Sequence, residues 1–132
     1  MKIIPLKEGN FSVSKTKDFT LLTEENKDAL KGIKMSVTPF LIFTENDIIL
    51  LDAGIGRKND EGKIVISEIL EKKDIHPEQV TKVLLSHLHK DHIETVITRI
   101  ENTFYATFPN AEIYIQRREA GLCYGKQGKP FF

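Results

Sequence analysis

The run Val83-Leu84-Leu85-Ser86-His87-Leu88-His89-Lys90-Asp91-His92 constrains this chain more than any other stretch. Three apolar residues lead straight into three histidines and a carboxylate. In extended backbone, residues two apart point to the same side, so His87 and His89 can present their imidazoles together. Ile93, Val96, Ile97 and Ile100 then recur at helical spacing. The span therefore reads as a strand end, a ligand-rich loop and the start of a helix that buries those four residues. Imidazole and carboxylate are the groups that Zn²⁺, Fe²⁺ and Mn²⁺ accept. A plainer reading exists for each residue alone. A lone histidine is usually solvated, and Asp91 with Glu94 three residues later has the form of a helix capping box. Three of the chain's four histidines fall within six residues, however, and that clustering favours a metal site.

The rest of the chain supplies short strands first, then strands alternating with helices. Residues 2–6 and 11–14 read as strands separated by a turn at Glu8-Gly9-Asn10. Residues 19–30 show no firm period and read as a loop or short helix. Residues 36–44 are β-rich, with Pro39 marking an edge or a bend. Turn chemistry at Glu45-Asn46-Asp47 then returns the chain as a buried strand over residues 48–51. Residues 63–72 read as a helix with Ile66, Ile69 and Leu70 on one face. Pro77 opens a short helical turn through Val80, and His76 before it reads as a cap or a solvated side chain. Residues 82–86 form the strand that delivers the histidines, residues 112–116 a further strand, and residues 117–122 the start of a helix. The tail, residues 125–132, is loop-like. Asp52-Ala53-Gly54-Ile55-Gly56 is a loop whose glycines permit positive φ and close backbone approach. This order suits a layered α/β (α+β) architecture, its sheet mixed but mainly antiparallel.

Composition narrows the possibilities. A chain of 132 residues makes a single domain, residues 1–132, burying about two thirds of its unfolded surface. Its 19 basic and 19 acidic side chains cancel, so charge gives no case for a nucleic-acid or anionic-membrane partner. The local pair Arg117-Arg118 reads as a solvated face. No apolar run is long enough to span a bilayer, and Met1-Lys2-Ile3-Ile4-Pro5 lacks a signal-peptide core. The single cysteine, Cys123, can make no internal disulfide, which fits a cytoplasmic location. It reads as structural and not as a catalytic thiol.

The run His87-Leu88-His89-Lys90-Asp91-His92 resembles the HxHxDH signature of the metallo-β-lactamase fold superfamily. Ile48-Ile49-Leu50-Leu51-Asp52-Ala53-Gly54-Ile55-Gly56 resembles the family's strand and Asp-x-Gly loop ahead of it. Phe108-Pro109-Asn110-Ala111-Glu112-Ile113-Tyr114-Ile115-Gln116-Arg117-Arg118-Glu119 resembles the stretch that follows it in the lactonase-like branch. The likeness covers residues 33–119.

The resemblance implies the N-terminal half of a four-layer αββα sandwich. It also implies a two-metal hydrolase, with His87 and His89 serving one ion and Asp91 and His92 the other. Zinc is the expected metal, with iron or manganese as alternatives. Asp52 would lie beneath the site and orient its loops without ligating. Hydroxide drawn from metal-bound water would attack a lactone or other small ester, and Asp91 would pass the proton to the leaving group. Two departures stand out. Glu94 and Thr95 occupy positions where the family usually has glycines, and no histidine follows His92. The family's later ligands would lie past Phe132, so the domain reads as incomplete and poorly active alone. It then needs a missing C-terminal half or self-association as a homo-oligomer. The rival reading is a non-catalytic half-domain that self-associates over a partial or empty metal site. A nuclease or thioesterase of the same superfamily is a weaker third.

Overall fold

A computed structural model describes residues 1–124. β1 (Lys2–Pro5) leads through buried Leu6 and Glu8 to β2 (Gly9–Val13), β3 (Phe19–Leu21) and β4 (Ile33–Val37). β5 (Phe40–Phe43) and β6 (Ile48–Leu51) follow. Next come α1 (Val65–Glu71), a 3₁₀ turn (Pro77–Gln79), β7 (Lys82–Leu85), α2 (Lys90–Ile93) and a second 3₁₀ turn (Glu94–Val96). β8 (Ile97–Ile100), β9 (Thr103–Ala106), β10 (Glu112–Ile115) and α3 (Arg117–Tyr124) complete the described chain. The five-stranded sheet runs β1-β5-β6-β7-β10, with β2 central to a three-stranded sheet and β8-β9 a hairpin. Pairing is antiparallel up to β6 and parallel at β6-β7 and β7-β10, so the main sheet is mixed. None of the described helices is long and apolar enough to cross a membrane.

Strand alternation divides the main sheet into two faces. Leu41, Leu50 and Val83 lie in register on one face and are fully buried. They form a core with Ile66 and Leu70 of α1, and with Ile75, Val80 and Phe108. Each such side chain contributes about 1.5–3 kcal/mol on burial. The opposite face carries Ile3, Ile42, Ile49, Leu51, Leu84 and Tyr114, also in register. It is apolar as well, yet Ile3 is 54% and Tyr114 46% exposed.

Three expectations are corrected. The helix over Ile93, Val96, Ile97 and Ile100 stops after one turn, and Ile97 and Ile100 pair with Ala106 and Thr103 in a hairpin. Both are more than half exposed. The run Thr95-Val96-Ile97-Thr98 is β-branched throughout and prefers extended backbone, which overrides the helical spacing. The turn at Glu8-Gly9-Asn10 is instead the start of β2, five residues of which pair with β4. Residues 19–30 begin as a strand, β3, before a series of turns. Pro39 does mark a bend, since it stands between β4 and β5, which belong to different sheets. The tail expected as a loop, residues 125–132, lies outside the described residues, as does the side chain of Cys123.

Candidate metal centre

β6 and β7 run parallel, so their C-terminal ends lie at the same edge of the sheet. Asp52 follows directly on β6, and its N–H donates to the Leu84 carbonyl at 2.9 Å, extending the ladder by one bond. Its φ of 59° is left-handed, a conformation that aspartate tolerates better than most residues. The turn aims its carboxylate at the chain leaving β7. There Oδ1 accepts the Ser86 N–H at 2.8 Å, and Oδ2 accepts the Ser86 hydroxyl at 2.8 Å. Oδ2 also meets His92 Nδ1 at 2.9 Å. Burial opposes ionisation of Asp52 most strongly. The Ser86 N–H, the His92 and Ser86 side chains and the charge of His92 together outweigh it and hold the carboxyl below the ordinary carboxylate range.

An ionised Asp52 fixes two tautomers. A carboxylate only accepts, so His92 must present Nδ1–H to it. The Ser86 hydroxyl spends its one proton on Asp52, so at 2.9 Å from His87 Nδ1 its oxygen accepts an Nδ1–H. In the neutral imidazoles Nε2 then carries the free lone pair. Carboxylate control of a ligating histidine is the usual device of metal centres.

The histidines are brought together as expected. The rings of His87 and His89 lie 4.5 Å apart, and those of His87 and His92 3.9 Å apart. Asp91 Oδ2 lies 3.2 Å from His92 Nε2. A positive charge between these two atoms, a proton on Nε2 or a metal ion, would join the pair. The donor set is assembled but not closed. Among the described residues, no group of three or more His, Cys, Asp or Glu side chains already surrounds one point. Donor chemistry and ring convergence fit a divalent metal, while the rings themselves rest on one another.

The capping-box role for Asp91 is not found, because the residue preceding the helix is His89, whose carbonyl accepts the His92 N–H. His76 does precede its 3₁₀ turn, its N–H donating to the Gln79 side chain, far in sequence from the histidine cluster.

Three residues outside the signature shape the site. The Thr95 hydroxyl, fully buried, accepts the Gly56 N–H at 3.1 Å. With Ala53 N–H to the His92 carbonyl and Glu94 N–H to the Gly54 carbonyl, it joins the Asp52–Gly56 loop to α2. Thr95 is thus a tie between loops where the sequence marked only a departure, and Glu94 points to solvent. Glu8, 1% exposed, accepts the Ile55 N–H at 2.8 Å and the Arg57 N–H at 2.7 Å. Arg57 returns two bonds to the Glu8 carbonyl. Burial pushes the Glu8 carboxyl up, against the pull of those two N–H groups and the Arg57 charge. A Cβ on Gly54 (φ +72°) would fall 2.2 Å from Glu8 Oε2, so this position needs glycine. Ser86 stands just before the signature, and only its adjacency to His87 hinted at its part. Nothing in the sequence pointed to Glu8.

Comparison with known proteins follows the same lines. The family model of the metallo-beta-lactamase superfamily matches residues 33–123. Among solved structures, hydrolase AbOPH, described as in the beta lactamase superfamily, is 28% identical with a TM-score of 0.64, over 89% of this chain and 42% of that one. AidC, a dizinc quorum-quenching lactonase, is 26% identical with a TM-score of 0.66, over 95% of this chain and 45% of its own. A probable metal-dependent hydrolase from Staphylococcus aureus shares the fold at 21% identity and a TM-score of 0.67, over 98% and 55%. The chain spans about half the length of these structures. No curated protein matches it.

Proposed function

The chain belongs to the metallo-beta-lactamase superfamily, and from that premise we propose that it carries the metal centre of a hydrolase acting on a small lactone or other ester. The observation that carries this reading is the Asp52 network, which leaves His87 and His92 with Nε2 lone pairs beside His89 and Asp91. The likeness to a dizinc lactonase and to a second hydrolase supports it. His87 and His89 would hold one ion, and Asp91 and His92 another; zinc suits these donors best, with iron or manganese as alternatives. When bound, such ions bring the pKa of water to about 7 and polarise a carbonyl oxygen, so no Ser or Cys nucleophile is required.

The chain's own residues do the remainder. Asp52 and Ser86 orient the imidazoles, and Thr95 and Glu8 hold the loop that carries Asp52. Asp91 would take a proton from the water whose oxygen bonds to the carbonyl carbon and deliver it to the alkoxide as the old C–O bond breaks, giving an acid and an alcohol, joined in one hydroxy acid where the substrate is a lactone. Catalytic zinc commonly has three protein ligands, and this set offers two per ion. We therefore assign the remaining ligands to a second copy of the chain, since residues 125–132 contain no His, Cys, Asp or Glu. The single cysteine fits the cytoplasmic location proposed for it.

The test is hydrolysis of a γ-lactone and an aryl ester with zinc or manganese, across protein concentrations. The expected result is low specific activity that rises with protein concentration and falls at least about tenfold in Asp91→Asn and His89→Ala, general acid–base work being worth about 10²–10⁴-fold. Activity untouched by both substitutions, or none at any concentration with either metal, would contradict the reading.

A further inference from the structure

A cleft of about 430 Å³ takes in Lys90, and its volume is within the size range of small-ligand sites, about 300–1,000 Å³. Its apolar walls are Phe11, Phe19, Leu21 and Ile55, and its charges are Asp18, Arg57 and Lys90. Phe11 and Phe19 meet edge to face at 6.0 Å, a rigid aromatic corner on the β2–β3 pair. Ile55 and Arg57 belong to the stretch that follows Asp52, and Lys90 stands between His89 and Asp91. The cleft thus lies between the β2–β3 pair and residues that neighbour the candidate ligands in the chain.

Two of the three charged groups are already hydrogen-bonded within the chain. The Asp18 carboxylate accepts the hydroxyls of Thr16 and Ser14. The Arg57 guanidinium donates twice to the Glu8 carbonyl, with the Glu8 carboxylate held on Arg57's own N–H. Lys90 is exposed and, among the described residues, enters no ion pair. It occupies the position of the signature between the second histidine and the aspartate, and it lines the cleft.

We propose that this cleft receives the apolar tail of an amphipathic substrate that also carries one anionic group, and that Lys90 selects for that charge. The proposal rests on the hydrolase reading for its reaction but not for its binding chemistry: four apolar walls hold the tail, and the exposed Lys90 ammonium holds the carboxylate. A neutral isostere fills the same walls and forfeits the charge-assisted bond.

The test measures binding, so it stands apart from turnover. Decanoate and its neutral isostere decanamide are titrated into the 132-residue chain, followed by NMR shift changes of the amides of Phe19, Leu21 and Ile55. The expected result is decanoate bound roughly tenfold more tightly than decanamide, the scale of one hydrogen bond to a charged group. Lys90→Gln should abolish that preference while leaving decanamide binding in place, and Lys90→Arg should keep it. Butyrate, which lacks the tail, should bind far more weakly. Equal binding of the two ligands by the unsubstituted chain, or binding that does not perturb these amides, would overturn the proposal. A preference for decanoate that survives Lys90→Gln would overturn it too, because Arg57 or a bound metal and not Lys90 would then be holding the carboxylate. Loss of lactone turnover with this binding intact would count against the hydrolase reading alone.

Discussion

At Asp52 the Ser86 N–H, the Ser86 hydroxyl and the His92 Nδ1–H converge on one carboxylate. Asparagine has the same shape but offers a donor on one side, so Asp52→Asn lets His92 or His87 adopt the other tautomer. Zinc affinity should fall about 10–100-fold, as for other partners of ligating histidines, with the far-ultraviolet circular dichroism unchanged. Competition with a chromophoric chelator measures it, and unchanged affinity would remove Asp52 from the site. Glu8 makes a different prediction, about pH. Burial raises its carboxyl above the ordinary value of 4.5. The folded state therefore holds the proton more tightly than the unfolded chain does. The associated stability is fully present below pH 4.5 and is lost as pH rises through the raised value. Glu8→Gln should flatten the stability–pH curve over that window, as read from urea midpoints, and a curve parallel to the unsubstituted protein's would contradict it.

Among the elements, the parallel pair β6 and β7 sets the site by ending side by side, and the single turn of α2 carries Asp91 and His92 across to it. This much was legible from sequence: an apolar run, histidines two apart and an Asp-x-Gly loop are local features, and each is read without knowing what packs on it. The β8–β9 hairpin was not legible in the same way. Ile93, Val96, Ile97 and Ile100 satisfy a helical period, while the β-branching of Thr95 to Thr98 opposes it, and no local rule ranks the two. Glu8 and Thr95 were missed because their partners, Ile55, Arg57 and Gly56, lie 39–49 residues away in the chain. The Thr95 tie is testable by itself. Thr95→Val keeps the shape and strands the Gly56 N–H, which should cost about 1–3 kcal/mol in denaturant unfolding. A stability equal to that of the unsubstituted protein would show that water replaces the hydroxyl.

For the whole molecule, the second face of the main sheet matters most. Ile3, Phe40 and Tyr114 are each at least 40% exposed on it, beside half-buried Ile42, Ile49, Leu51 and Leu84. Contiguous apolar surface of this kind seeks cover, and we expect the purified chain to self-associate, with its mass by light scattering rising with concentration. Phe40→Lys should lower that mass, and a monomer at every concentration would contradict the expectation. The central claim, however, is that His87, His89, Asp91 and His92 are metal ligands, and metal content tests it most directly. The chain is loaded with zinc, freed of excess ion by gel filtration and analysed for zinc per chain. The expected result is zinc retained by the unsubstituted protein and lost in the double substitution His87→Ala, His92→Ala with the fold retained. Zinc content that is the same in both, or absent from both, would contradict it.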